Sequence, residues 1–173
     1  MDASLKQLHD QIDDATAALL ETVSELTDGD VGRPSTLPGW TRGHVLTHLA
    51  RGGDALRNLL EGRAAYAGPD ARDAGIEAGA TRGAAELAAD VRASAAAFRD
   101  TALAQSDDAW NRRLTVPGVG TFPASQVLLR RLVEVELHHV DLDAGYRSTD
   151  WPTTFNQLEL PEPMRGQRAD RIV

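Results

Sequence analysis

Apolar residues return every three or four positions in four separate stretches of this chain, and that period is the strongest limit on its fold. A stripe of this kind must be buried against another element, so four stripes in one chain point to helices packed on one another. In the first stretch Leu5, Leu8, Ile12, Leu19, Val23 and Leu26 mark the stripe, and Ala15 fills its gap. Asp2 or Ser4 is placed to cap its start, and Gly29 follows its end. Pro34, Pro38 and Gly39 then break the chain over 30–39. A second helix is expected from Trp40–Thr41, with Thr41 as its N-cap, to about Gly62, with Val45, Leu49, Gly52, Leu56 and Leu59 on one face.

Residues 63–80 read as a mixed linker, and an alanine-rich third helix is expected over roughly 81–105, with Leu87, Val91, Ala95 and Phe98 inward. Leu114, Val116, Val119 and Phe122, interrupted by Pro117-Gly118, suit a short β-hairpin or extended lid over 111–122. The fourth helix is expected from near Pro123, a residue suited to a first helical position, to about Gly145. The fold class is therefore all-α: an antiparallel four-helix bundle with one long connection and a short extended segment before the last helix. Gly52-Gly53 lies inside the second helix, where each glycine costs about 1 kcal/mol relative to alanine. A close approach there explains the pair, by a neighbouring helix in the first instance or by a ligand. Beyond Ser148 the period fades; Trp151, Phe155 and Leu158 can pack, but Pro152, Pro161 and Pro163 exclude a long helix. The expected units are a bundle over 1–147 and a C-terminal tail over 148–173.

The chain is 173 residues long, one domain's worth, and carries 26 Asp+Glu against 18 Lys+Arg for a net charge of −8. That balance opposes binding to phosphate backbones and argues against nucleic acid as a partner. No stretch approaches the roughly 18 apolar residues that span a bilayer, and residues 1–30 hold no signal-peptide pattern, so a cytoplasmic protein away from membranes is expected. With no cysteine, any metal must be held by His, Asp or Glu, and any reactive thiol must come from a ligand.

The histidines are His9, His44, His48, His138 and His139. His9 is expected on the solvated surface of the first helix. On a wheel of about 100° per residue with Glu134 at zero, His138 falls at about 40°, Arg131 at about 60°, Val127 at about 20° and Asp141 at about −20°. Glu136, at about 200°, and His139, at about 140°, point elsewhere. Ionisable residues sharing a stripe with a core-type valine are expensive unless paired or bound to metal. On the second helix His48 lies beside Val45, Leu49 and Gly52, while His44 is nearer the helix start. His48, Glu134 and His138 would supply two nitrogens and one carboxylate, a common catalytic zinc set, with Asp141 placed to orient a ligating imidazole. A simple Glu–His salt bridge at i, i+4 satisfies the same spacing.

Two motifs resemble one known family. The run Leu37-Pro38-Gly39-Trp40-Thr41-Arg42-Gly43-His44-Val45-Leu46-Thr47-His48-Leu49-Ala50 is similar to the N-terminal motif of the mycothiol-dependent maleylpyruvate isomerase family. The second begins Thr121-Phe122-Pro123-Ala124-Ser125 and continues Arg131-Leu132-Val133-Glu134-Val135-Glu136-Leu137-His138-His139-Val140-Asp141-Leu142. The resemblance covers about 1–147, loosely over 63–105. It implies a DinB-like bundle holding one divalent metal, usually zinc, on His48, Glu134 and His138, with His44 and His139 outside the ligand set. It also implies mycothiol, the small thiol of actinobacteria, as cosubstrate. A thiol at a metal's open position is held as thiolate near neutral pH. In an isomerase it adds to the double bond of maleylpyruvate, the resulting single bond rotates, and elimination leaves fumarylpyruvate. Arg131 is the expected catalytic residue, pairing with a carboxylate of substrate or thiol, or else with Glu134 or Asp141. The tail over 148–173 is expected to leave no room for the second, smaller α/β domain that the resemblance implies.

The expected function is thus a metal-dependent thiol transferase or isomerase taking a small-molecule electrophile and mycothiol. The alternatives are a metal-dependent hydrolase on the same bundle and a non-catalytic metal or small-molecule binding module, with a homodimer through exposed helix faces as a further partner. A thiol pocket beside the metal favours the first. An extra acid or base near a metal-bound water favours the second, and the lack of any cavity reaching the metal favours the third.

Overall fold

The structure, a computed structural model, describes residues 2–172, so positions 1 and 173 of the two expected units lie outside the described residues. The Asp2 carboxylate accepts from the Leu5 backbone N–H at 2.9 Å and caps α1, Ala3–Ser24. The helix stops short of Leu26, and a capping box between Thr27 and Asp30 starts a one-turn α2, Asp28–Val31. Thr41 caps α3, Arg42–Leu60, as expected, and its capping box is completed by His44, whose Nδ1 accepts from the Thr41 N–H at 3.2 Å. The linker over 63–80 instead contains α4, Ala71–Gly79. Next come α5, Ala84–Leu103, and a single turn, α6, Asp107–Trp110.

The hairpin forms from β1, Arg113–Val116, and β2, Gly120–Pro123, paired antiparallel with Leu114 opposite Phe122. Gly118, at φ +75°, turns the chain between them, a left-handed conformation that glycine adopts without strain. Pro123 therefore ends a strand rather than beginning a helix. The last long helix, α7, Gln126–Asp141, is shorter at both ends than expected, and Asp143 at φ 50° turns the chain beyond it. A 3-10 turn, Ser148–Asp150, and two short helices, α8, Thr153–Asn156, and α9, Met164–Ala169, complete the chain. The short pieces match the proline spacing, and Trp151, Phe155, Leu160 and Met164 belong to the same buried core as the long helices. Among the described residues no helix is long and apolar enough to cross a membrane.

The four long helices make the bundle: α1 packs on α5 and α7, and α3 packs on the same two. Side-chain contacts fix their directions. Arg51 meets Asp90 and Thr101 meets Glu61, so α3 and α5 run parallel. His48 meets Glu134 and His138, while Arg131 bonds the Leu49 carbonyl and crowds Gly53, so α3 and α7 run antiparallel. A parallel α3–α5 pair obliges the chain to return the length of the bundle, which is the work of the long connection carrying α4. Leu19, Val45, Leu46, Leu49, Leu87, Leu128 and Leu132 fill the centre at 0–1% exposure. Truncating one of them to alanine costs about 2–5 kcal/mol.

The two central glycines of α3 divide the roles foreseen for them. A Cβ on Gly53 would meet Ser94 Oγ at 2.5 Å and the Arg131 guanidinium carbon at 3.3 Å, so this glycine permits the close crossing with α5 and α7. A Cβ on Gly52 would meet nothing within 4 Å, because that glycine faces a cavity. His9 corrects its expected surface position: at 3% exposure it is packed into the bundle. It lies four residues after Leu5 and three before Ile12, which puts it on the buried stripe.

Candidate metal centre

The antiparallel α3–α7 crossing brings three ligand atoms together. His48 Nε2 is 2.9 Å from Glu134 Oε2 and 3.1 Å from His138 Nε2, and the last two are 3.3 Å apart. These are the one group of three or more metal-ligating side chains found converging among the described residues. Around a tetrahedral zinc with bonds of about 2.0–2.1 Å, neighbouring ligand atoms stand about 3.3 Å apart, so the triangle already has the dimensions of one face of that site. An i, i+4 salt bridge needs only the two α7 residues. The third atom comes from a different helix and is not required by that salt bridge.

The environment fixes how each group presents itself. Asp141, 3% exposed, accepts from His138 Nδ1–H through Oδ2 at 2.8 Å. That leaves the Nε2 of a neutral His138 ring as a lone pair aimed at the other two ligand atoms. Burial alone would lower the His138 pKa, but its hydrogen bonds to Asp141 and Glu134 and their charges raise it to about 9. Burial would raise Glu134, yet the two imidazoles hold it well below the usual carboxylate range. Burial dominates at His48 and lowers its pKa.

The three ligand atoms line a cavity of about 420 Å³. Leu37 and Trp40 come from the loop before α3, Gly52 and Leu56 from α3, Val116 and Val119 from the hairpin with Phe122, and Arg130 from α7. The Trp40 ring stands 5.5 Å from that of His48. A second cavity of about 630 Å³ shares Leu59, Ala65, Tyr66, Arg72, Val116 and Val119 with the first and extends between the α3–α4 connection and the hairpin. The hairpin thus forms a wall of a two-chambered cleft with the ligand triangle in one chamber.

Arg131 is not among the cleft residues. It is 1% exposed, its Nη1 donates to the Leu49 carbonyl at 2.8 Å, and its Nε and Nη2 have no hydrogen-bond partner among the described residues. Burial lowers its pKa to about 10. The expected ion pairs with Glu134 and Asp141 do not form; Arg131 lies behind the crossing, where Gly53 makes room for it. The α7 arginine that reaches the cleft is its neighbour Arg130, stacked 4.1 Å over the Phe122 ring. On the same helical wheel Arg130 falls at about −40°, nearer Glu134 than Arg131 does, so the signal was present in the sequence. Tyr66 and Arg72 have no such signal, because the long connection brings them to the cleft.

His44 and His139 lie outside the triangle. His44 caps α3, and His139 is stacked on Tyr146 with ring centroids 3.7 Å apart, its Nε2 2.8 Å from Thr22 Oγ1. Glu136 does point away from the triangle, but into protein: it accepts from the Tyr146 hydroxyl at 2.8 Å, and its backbone carbonyl accepts from Trp151 Nε1 at 3.3 Å.

A family model described as the mycothiol maleylpyruvate isomerase N-terminal domain matches residues 12–143. Two solved structures share the fold: a crystal structure of the mycothiol-dependent maleylpyruvate isomerase, and one of a histidine-to-alanine mutant of that enzyme. Each has a TM-score of 0.82 and 29% sequence identity, over 87% of this chain and 65% of theirs. The chain therefore spans less than two thirds of the length of these solved relatives. No curated protein gives a significant match.

Proposed function

The chain belongs to the mycothiol maleylpyruvate isomerase N-terminal domain family, and from that premise we propose that it carries the metal-dependent centre of a mycothiol-using isomerase or S-transferase acting on a small anionic electrophile. The observation that carries this reading is the triangle of His48, Glu134 and His138, with sides of 2.9–3.3 Å, opening onto a cleft with a second chamber beside it. The donor set fits zinc: two neutral imidazoles and one carboxylate, with a position left for a further ligand. Bound there, zinc would act as a Lewis acid and lower the pKa of a thiol at that position.

The chain's own residues do the rest. Asp141 holds a proton on His138 Nδ1, so that Nε2 is the nitrogen that ligates once its own proton is displaced. Arg130 and Arg72 line the cleft and suit the carboxylates of an electrophile such as maleylpyruvate. Held beside the thiol, the electrophile reacts as a positioned pair rather than by chance encounter. Trp40, Val116, Val119 and Phe122 wall the chamber with apolar surface. The second chamber, walled by Arg63, Ala64 and Pro69 on one side and Pro117 on the other, suits the bulk of a sugar-linked thiol. Outside the triangle the first chamber's described lining offers the Tyr66 phenol as an acid or base, and burial raises its pKa, so it is a poor base for water at neutral pH, which favours thiol chemistry over water activation.

Zinc-loaded protein incubated with maleylpyruvate tests the reading. Conversion to fumarylpyruvate is expected only when mycothiol is added. Absence of thiol-dependent turnover, together with no thiol adduct from other electrophiles, would exclude both the isomerase and the transferase.

A further inference from the structure

The carboxylate that orients His138 is itself held from a distant part of the chain. Arg171 donates to Asp141 through Nε to Oδ1 at 2.9 Å and through Nη2 to Oδ2 at 2.7 Å. Thr36 Oγ1 donates to Oδ1 at 3.0 Å, and His138 Nδ1 to Oδ2 at 2.8 Å. Each oxygen thus accepts two bonds, and the carboxylate is fully used. A carboxylate held by a two-bond fork cannot turn about its own axis without breaking both bonds. The fork therefore fixes the direction from which Oδ2 accepts the hydrogen bond of His138 Nδ1–H. That proton, in turn, fixes the ring plane and the tautomer that leaves Nε2 facing His48 and Glu134.

Arg171 is anchored in its own segment. Its Nη1 donates to the Gln167 carbonyl at 2.7 Å, and Arg168 ties the end of α9 to the carbonyls of Phe155 and Leu158 at 2.8 and 3.1 Å. Phe155 and Met164 secure the segment in the core at 1% and 4% exposure. We propose that Arg171 is a positioning residue of the metal centre, acting through Asp141 on His138, so that the segment after α7 is part of the site rather than an appendage to it. This inference rests on the metal reading above.

The test uses the full chain with Arg171→Ala, Arg171→Lys and, as a control on the same segment, Arg165→Ala, whose side chain is exposed and paired with Glu162. Zinc affinity is measured by competition with a chromophoric chelator, and the His138 Nδ1 proton by NMR of the metal-free protein. Arg171→Ala is expected to weaken zinc binding about 10–100-fold and to lose the protected Nδ1 proton. Arg171→Lys, which keeps the charge without the fork, is expected to weaken binding by a smaller factor, and Arg165→Ala to leave both readouts unchanged. Wild-type zinc affinity and an intact Nδ1 proton in Arg171→Ala, with only a lower melting temperature, would overturn the proposal. If Arg171→Ala fails to fold, an affinity for Arg171→Lys equal to wild type overturns it instead. If the wild-type protein binds no zinc, the metal reading fails separately. The Nδ1 proton then decides only whether Arg171 positions the His138 ring: its loss in Arg171→Ala or Arg171→Lys upholds that, and its retention overturns it.

Discussion

The two sides of α7 carry the same residue types in opposite employment. Glu134 and His138 face α3 and the cleft; Glu136 and His139 face α1 and the segment after α7. On the cleft side a third ligand atom arrives from another helix, and His138 is pushed up to about 9 by its two carboxylate partners after burial has opposed them. On the other side burial takes His139 down to about 4, and Glu136, desolvated beside the Tyr146 hydroxyl, is raised. A glutamate and a histidine in the core are therefore not in themselves a site. The difference lies in whether their partners bring a further atom of metal-ligating type into the cluster, as His48 does, or close off the remaining hydrogen bonds, as Thr22 and Tyr146 do.

The largest expected effect breaks the comparison outright. Replacing His48, Glu134 or His138 by alanine is expected to weaken zinc binding by at least about a hundredfold, beyond the usual loss for an outer partner. His139→Ala should retain stoichiometric zinc while losing about 2–4 kcal/mol of stability through its cavity. Elemental analysis and denaturant titration of the purified variants separate the two outcomes. Normal zinc content in Glu134→Ala would refute the ligand assignment.

A second test uses pH, because the two histidines act with opposite sign. His138 binds its proton more tightly in the folded chain, so its contribution to metal-free stability is complete below about 6.5 and is lost as pH rises through about 9. His139 is held neutral, so its contribution is present above about 6.5 and is lost as pH falls toward about 4. Denaturation of the metal-free protein across this range should lose an alkaline arm in His138→Gln and an acid arm in His139→Gln. Zinc affinity should rise with pH toward 9, since zinc displaces the His138 proton. A pH-independent affinity between pH 6.5 and 9 would count against the ligand role of His138.

The smallest effects sharpen the same contrast on α3. Gly53→Ala should destabilise by about 1–3 kcal/mol, because the added carbon meets Ser94 and Arg131. Gly52→Ala, facing open cleft, should stabilise by about 0.5–1 kcal/mol through helix propensity. Melting curves that moved the same way for both variants would contradict the division of roles.

Periodicity made the bundle legible: the four stripes, the Thr41 cap and the hairpin are all present, because each follows from local spacing. The convergence of side chains at the α3–α7 crossing was legible for the same reason on α7, where Glu134, His138 and Asp141 share one wheel face. Arg130 and Arg131 flank Glu134 on that wheel, and angle alone does not say which flank of a stripe meets a cleft. Tyr66, Arg72 and Arg171 could not be read at all. The first two depend on how the long connection folds back, and the third on how α9 docks. His9 misleads because a polar residue on a buried stripe resembles a surface one until its neighbours at three and four positions are counted.

The most direct test is X-ray absorption at the zinc edge of the loaded protein before and after mycothiol is added. The account predicts two imidazole nitrogens and one carboxylate oxygen at about 2.0–2.2 Å, with a sulfur at about 2.3 Å appearing on addition of the thiol. A shell with fewer than two imidazoles, or no sulfur at saturating mycothiol, would contradict it.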